Sequence, residues 1–323
     1  MSNSLDTLVK NNYTKLINGI ALDQHCIYSV NAKGYIAKFN LSGKMLTSIG
    51  GEGYSKYLFR QLVAITVTDG YVFVCDWHNH RVVVFNLNLI YLEEFGFYQS
   101  RYEKSKIKIV LKRYLKILKS HEYIYNHIGD FIKKKVVKST FVDSARRLLY
   151  FSFFRKISKF PNLPIDKPNG VVITDNFLYL TQKNNKCVSK ISLFDKSTPI
   201  KTISGFDHDM FGRLGNICKG KQALYICDEP NSKIYITDFD CNLVTVLQGF
   251  SPVDPFCCVE VTSSVLCVGG VKGCVLYSMD DSRVIQTIEV KEVHGLDYNP
   301  ETKILYIASR ILGEIVKQKV EIS

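Results

Sequence analysis

The feature that most constrains the fold is a unit recurring along the chain. It runs as a short apolar strand, a turn, a strand carrying Leu-Tyr or Val-Phe, a polar turn and a third apolar strand. The central pieces read IYSVNAKGYIAKFN from Ile27, VFVCDWHNHRVVVFN from Val72 and LYLTQKNNKCVSKISL from Leu178. The pattern continues as LYICDEPNSKIYITDFD from Leu224, LCVGGVKGCVLYSMD from Leu266 and LYIASRILGEIVKQKV from Leu305. Each is preceded by a further apolar strand, beginning at Gly19, Val63, Gly170, Asn216, Cys258 and Gly295, and several are followed by a fourth, as in KMLTSIG, IYLEEFG and NLVTVLQGF. Gly, Asn, Asp and Ser bound these strands, so hairpin spacing predicts small antiparallel sheets.

A lone four-stranded sheet with two apolar faces cannot bury both. Sheets repeating about every 40 residues can stack radially and cover each other. A parallel α/β fold would need regular crossover helices, and helical periodicity is confined to residues 100–135. The fold class expected is therefore an all-β propeller, a single domain over 1–323, with a basic helical insertion at 98–135. The segment FVDSARRLLYFSFFRKISKF from Phe141 also scans as strand and hairpin, so six or seven blades stay open. The last unit stops after its third strand, and DTLVKNNYTK near the N-terminus is placed to supply the missing outer strand and close the ring.

The second unit carries a family resemblance. Gly50-Gly51-Glu52-Gly53, then Phe59-Arg60-Gln61-Leu62-Val63-Ala64-Ile65, then Asp76 and Asn79-His80-Arg81, is similar to an NHL repeat. Leu62-Val63 stand where that family has Pro-Gly. A looser copy has Asp228 followed by Asn231-Ser232-Lys233-Ile234, so the likeness is clearest over 50–96 and 212–250. The resemblance implies an NHL-type propeller that binds a protein or RNA partner on one face of its disc. In ubiquitin ligases of the tripartite-motif type such propellers follow zinc-binding domains. No Cys-x-x-Cys pair occurs here, so ligase chemistry is not expected from these residues.

Charge is concentrated in one place. The net charge is +12, yet residues 101–160 hold 17 Lys or Arg against 4 Asp or Glu, leaving the remainder near neutral. Within KSKIKIVLKRYLKILKS, the residues Ile107, Val110, Leu111, Tyr114 and Leu118 share one helical face, and Lys108, Lys112, Lys116 and Lys119 fall on the other. Lys104, Arg113, Lys133, Lys134 and Lys135 complete the candidate set for binding a polyanion or partner. Three readings stand open: a solvated face on a packed helix, a contact for RNA or an anionic membrane surface, and a docking helix for a protein.

Catalytic signals are sparse. Asn18, Leu62, Asn169, Gly215, Cys257 and His294 precede the innermost strands, and Asn18, Asn169 and His294 are candidates to converge in the central channel. ING, PNG and VHG resemble inner-strand starts of calcium-dependent lactonase-like and strictosidine-synthase-like propellers. Calcium would want carboxylates and zinc about three clustered ligands; neither set is evident, and Asn before Gly has an ordinary reading as a turn. No cofactor is therefore expected, with calcium or zinc in the channel as the alternative. Most of the ten cysteines lie in apolar runs and read as buried small hydrophobes. No secretory signal or transmembrane segment is evident.

These observations together predict a non-enzymatic, cytoplasmic, monomeric interaction module. Its partner would be a protein or RNA, reached through the propeller face and the basic insertion. A metal-dependent hydrolase or lyase with a channel site is the competing class.

Overall fold

The computed structural model of the 323-residue chain describes residues 5–96, 165–174, 176–193, 200–250 and 253–321. The expected helix at 98–135, with all nine of its basic candidates, and the strand-like segment from Phe141 lie outside the described residues.

Six four-stranded antiparallel sheets form the blades of a propeller. The first strand, β1 (Asp6–Lys10), belongs to the last blade. Blade 1 holds β2 (Ile17–Leu22), β3 (Cys26–Asn31), β4 (Tyr35–Asn40) and β5 (Met45–Gly50). Blade 2 holds β6 (Leu62–Thr68), β7 (Tyr71–Asp76), β8 (Arg81–Asn86) and β9 (Tyr91–Phe95), with a 3-10 turn at Trp77–Asn79. Blade 3 holds β10 (Pro168–Thr174), β11 (Phe177–Gln182), β12 (Cys187–Ser192) and β13 (Lys201–Ile203). A small hairpin, β14 (Gly205–Phe206) with β15 (Asp209–Met210), precedes blade 4, which holds β16 (Leu214–Lys219), β17 (Leu224–Asp228), β18 (Lys233–Thr237) and β19 (Leu243–Leu247). Blade 5 holds β20 (Pro255–Thr262), β21 (Val265–Gly270), β22 (Gly273–Ser278) and β23 (Arg283–Ile288). Blade 6 holds β24 (Val293–Asn299), β25 (Ile304–Ser309), β26 (Glu314–Lys319) and β1.

The ring closes as its ends suggest. β1 pairs antiparallel with β26, setting Asp6 opposite Lys317 and Lys10 opposite Glu314. The Thr14 hydroxyl donates to the Gly313 carbonyl at 2.6 Å, fastening the chain as it passes from blade 6 into blade 1. Closure covers the sheet faces that the first and last blades of an open stack would leave bare.

The core consists of six apolar clusters, one between each pair of neighbouring blades. Strand alternation explains why the second strands read as unbroken apolar runs. In β7, Val72 and Val74 pack toward blade 1, whereas Phe73 and Cys75 pack toward blade 3. The vicinal cysteines divide the same way: Cys257 faces blade 6 and Cys258 faces blade 4.

The innermost strands β2, β6, β10, β16, β20 and β24 surround the axis, each beside the next. Glycines set how closely they approach. A Cβ on Gly295 would sit 2.8 Å from the Ile20 nitrogen, one on Gly170 2.6 Å from the Ile217 nitrogen, and one on Gly215 2.5 Å from the Phe256 oxygen. The Gly of the Asn-Gly and His-Gly pairs is thus a strand residue that admits the neighbouring backbone, and the turn expected there is not formed.

Candidate functional site

The residues of the NHL-like signature converge on one buried network. Asp76 Oδ1 accepts the Arg60 backbone N–H at 2.8 Å, while Oδ2 accepts Asn79 Nδ2 at 2.6 Å and Arg81 Nε at 2.8 Å. Arg81 also pairs with Glu94 at 2.6 Å and donates to the carbonyls of Ser55 and Leu58 at 3.0 and 2.7 Å. Asp76 is 0% and Arg81 2% exposed. Burial pushes the Asp76 carboxyl up, and Arg81, with the donors of Arg60 and Asn79, pulls against it.

The same device recurs in weaker form. Asp228 Oδ2 accepts the Gly212 N–H at 2.8 Å and Asn231 Nδ2 at 3.0 Å. In blade 3, Gln182 Oε1 accepts the Asp166 N–H and the Asn185 amide, both at 2.9 Å. An acceptor ending the second strand therefore fastens the connection arriving from the preceding blade. The signature residues act as staples between a loop and a hairpin.

This repeated geometry defines one face of the disc, here the upper face. The connections from outer to next inner strand lie there beside the turns between second and third strands. Backbone N–H groups of Ala32, Trp77, Lys183 and Arg310 donate to the carbonyls of Leu16, Gln61, Lys167 and Glu292. Each of those acceptors directly precedes an inner strand and is left-handed, with φ of 57°, 60°, 52° and 48°. Asp254 before β20 shares the conformation, with φ 51°. One step inside, every inner strand has a register irregularity near its start. It puts Asn18, Val63, Asn169, Phe256 and His294 out of register, with Gly215 and Asn216 in blade 4. The sequence reading of Leu62 and Cys257 at this level is corrected by one residue each, to Val63 and Phe256, because the bulge adds a residue.

Cations gather at the mouth so formed. Lys167 precedes β10, Lys183 follows Gln182, Arg213 precedes β16 and Arg310 follows Ser309. Blades 3 and 6 are opposite in a six-membered ring, and Lys183 and Arg310, one on each, feel each other's charge. The Lys167 and Lys183 ammonium groups stand 4.4 and 5.4 Å from the Trp77 ring centre. Arg213 bonds Glu229 at 2.6 Å. Among the described residues, Lys167, Lys183 and Arg310 form no ion pair with a carboxylate. Burial and the charges of Arg213, Lys167 and Arg310 push the Lys183 ammonium down, with Glu229 opposing. The His294 imidazole packs against the Phe256 ring at a tilt of 41°, with centroids 4.5 Å apart. Burial, then Arg310 and Lys183, bring it down from 6.5 to about 4, so it is uncharged at neutral pH.

The sequence-named channel residues have different roles. Asn18 Nδ2 donates to the Leu62 carbonyl at 2.6 Å and Asn169 Nδ2 to the Leu214 carbonyl at 2.8 Å, each tying its blade to the next. His294 alone of the three joins the cationic mouth. The bulge positions of the six inner strands carry no carboxylate, and both asparagines donate through nitrogen, which leaves the buried Asn18 Oδ1 without a hydrogen-bond partner. Among the described residues there is no group of three His, Cys, Asp or Glu side chains placed to hold a metal. Sequence reading missed Lys167, Lys183, Arg213, Arg310 and Trp77. The available signal was position within the repeat: all five either precede an inner strand or follow the residue that ends a second strand.

No family model matches the chain, and no curated protein matches it. Solved propellers do. The selenomethionine form of virginiamycin B lyase from Staphylococcus aureus aligns with TM-score 0.56 at 12% identity, covering 98% of this chain and 99% of that one. A catalytically inactive histidine-to-alanine form of that lyase with quinupristin gives TM-score 0.57 at 11% identity, over 98% and 99%. The WD40 β-propeller domain of Doa1 gives TM-score 0.54 at 10% identity, over 99% and 98%. At these identities the likeness is one of fold. The chain is a six-bladed β-propeller, a fold compatible with a protein-binding scaffold. None of the helices among the described residues is long and apolar enough to cross a membrane.

Proposed function

We propose that the chain is a non-enzymatic interaction module, a divergent NHL-type propeller that binds RNA on its upper face. The observation carrying this reading is the cationic mouth on that face, in a chain whose sequence also bears a net +13 over residues 101–160. The described chain stops at Gly96 and resumes at Ile165, and a Cβ on Gly96 would lie 2.7 Å from both the His80 carbonyl and the Ile165 side chain. Gly96 and Ile165 thus both stand beside the turn that carries Trp77. Lys167, just after the return, gives its backbone N–H to His80 Nδ1 at 3.2 Å.

Basic residues that neutralise phosphates release counterions, so affinity should fall steeply with salt. The test is fluorescence anisotropy with labelled single-stranded RNA across a salt series. It compares the full chain with a version in which Lys104, Lys108, Lys112, Arg113, Lys116, Lys119, Lys133, Lys134 and Lys135 are glutamine. Tight binding with a steep salt slope, flattened in the substituted chain, supports the reading. Absence of binding by both at about 50 mM salt refutes RNA and moves the search to a protein partner on the same face, or to an anionic membrane surface. A channel hydrolase or lyase is the competing class, and the uncharged His294 at the mouth is what favours it. Stoichiometric metal in purified protein, lost on changing Asn169 and His294 together, would establish that class instead.

A further inference from the structure

We propose that the upper mouth of the channel is a phosphate-binding subsite formed by Lys183, Arg310, Lys167 and His294, with Arg213 at its rim. The inference rests on the RNA-binding reading and gives it a particular place where one phosphate group is gripped.

The contributing groups come from different blades. Lys167, Lys183 and Asn169 belong to blade 3, Arg213 to blade 4, and His294 with Arg310 to blade 6. The backbone fixes their positions: Lys183 is tied to Lys167 by a 3.1 Å bond and Arg310 to Glu292 by a 2.9 Å bond. The carboxylates at this level are Glu229, bonded to Arg213, Asp166, which meets His80 and Asn184, Asp254, paired with Lys272, and Glu292, whose main chain is held by Val271 and Arg310. They leave Lys183, Lys167 and Arg310 without an ionic partner among the described residues. Like charges brought together on a rigid frame repel, and an anion between them relieves the repulsion. His294, kept neutral, can add a ring N–H or accept one.

Geometry favours phosphate over carboxylate. A carboxylate presents two oxygens on one side, which suits a single fork of donors. A phosphate presents oxygens in several directions and up to two charges. Donors approaching from opposite blades match the second pattern.

Trp77 is the only tryptophan in the chain, and two of the cations concerned lie over its ring. Its buried Nε1 has no hydrogen-bond partner in the described structure. Drawing Lys167 and Lys183 onto an anion should therefore alter its emission without any added label. The probe is sodium tripolyphosphate, titrated at constant ionic strength against the full chain, with sodium chloride as the control titrant. A saturable change in Trp77 emission is expected with tripolyphosphate and none with chloride. K183Q and R310Q should each weaken that binding about tenfold, the usual loss for a charge-assisted contact. K44Q, in the turn between β4 and β5, should leave it unchanged. Far-UV circular dichroism and the unliganded emission spectrum verify that the variants are folded.

Failure of tripolyphosphate to change the emission up to millimolar levels, or equal binding by K183Q, R310Q and the parent, overturns the subsite. If RNA still binds those variants with parental affinity, the RNA reading stands without it. If tripolyphosphate saturates the site while RNA does not bind, the subsite stands as one for a free phosphate compound and the RNA reading falls.

Discussion

Replacing Arg81 by Met should be among the most costly single changes in this chain, and the reason is the carboxylate it leaves behind. Asp76 and Arg81 are 0% and 2% exposed, and their contact is 2.8 Å. Removing one partner of a buried pair typically costs about 3–5 kcal/mol, because the remaining charge has neither water nor a counter-ion. Arg81 also caps the carbonyls of Ser55 and Leu58 and meets Glu94, so R81M is expected in the upper part of that range. D76N/R81M removes both charges together and should be more stable than R81M by about 2 kcal/mol, a coupling of the size found for residues in one network. Lys233 holds the equivalent position in blade 4 but pairs with Asp209 of the β14–β15 hairpin, and those side chains are 24% and 42% exposed. K233M should therefore cost no more than about 1 kcal/mol. Urea denaturation monitored by circular dichroism measures all three. Under conditions where R81M is still folded, its RNA affinity should equal that of the parent. A cost below about 1 kcal/mol, no recovery in the double variant, or selective loss of RNA binding would refute the assignment of this network to structure.

Two further perturbations test other parts of the frame. Gly295→Ala should destabilise by about 1–3 kcal/mol through overpacking, since its Cβ would lie 2.8 Å from the Ile20 nitrogen; urea denaturation indistinguishable from that of the parent would show that the inner ring can breathe. Between pH 4 and 6, Asp297 and His294 should tilt stability in opposite directions. Burial raises Asp297 from 3.8 to about 6 despite N–H bonds from Leu22 and Tyr298, so its contribution is complete below 3.8 and fades as pH rises through 6. His294 is lowered from 6.5 to about 4, so its contribution is complete above 6.5 and fades as pH falls through 4. Each corresponds to about 3 kcal/mol at full effect. D297N should thus gain stability, relative to the parent, as pH rises across that window, and H294Q should gain it as pH falls. Parallel profiles for parent and variants would exclude the linkage.

Much of the fold was legible because the repeat states each constraint several times. Unbroken apolar runs such as Val72, Phe73, Val74 and Cys75 report a strand covered on both faces, and stacking of sheets supplies the two covers. The N-terminal strand could be assigned to the last blade because a ring with one three-stranded member has one unpaired edge. The β14–β15 hairpin was not legible, since two-residue strands carry no periodicity. It is held instead by contacts among Phe206, Phe211 and Tyr235, with rings 5.0–5.6 Å apart. The site was less legible for a related reason. Asn18, Asn169 and His294 share a level in the ring, but the sequence does not say which way an amide points. Two of the three point into the neighbouring blade.

The rings of the upper face separate structural from functional demands atom by atom. At the position before each inner strand stand Leu16, Gln61, Lys167, Arg213, Asp254 and Glu292. Four of these supply the carbonyl that holds the adjacent turn, and a carbonyl is common to every residue. The side chain is thereby released from the fold, which explains how aliphatic, amide, basic and acidic groups occupy equivalent places. The turn position does the same with Ala32, Trp77, Lys183, Glu229, Val271 and Arg310. Where the staple uses a side chain, as at Asp76 or Gln182, no such freedom exists. The chemistry of the face is therefore carried by positions whose structural duties are met by the main chain. On blades 3, 4 and 6 those positions hold cations; on blades 5, 6 and 1 the same level exposes Val271, Ile311, Leu312 and Leu16. A ligand centred on the axis therefore meets cations from opposite blades, 3 and 6, with exposed apolar side chains flanking Arg310 on blades 5, 6 and 1.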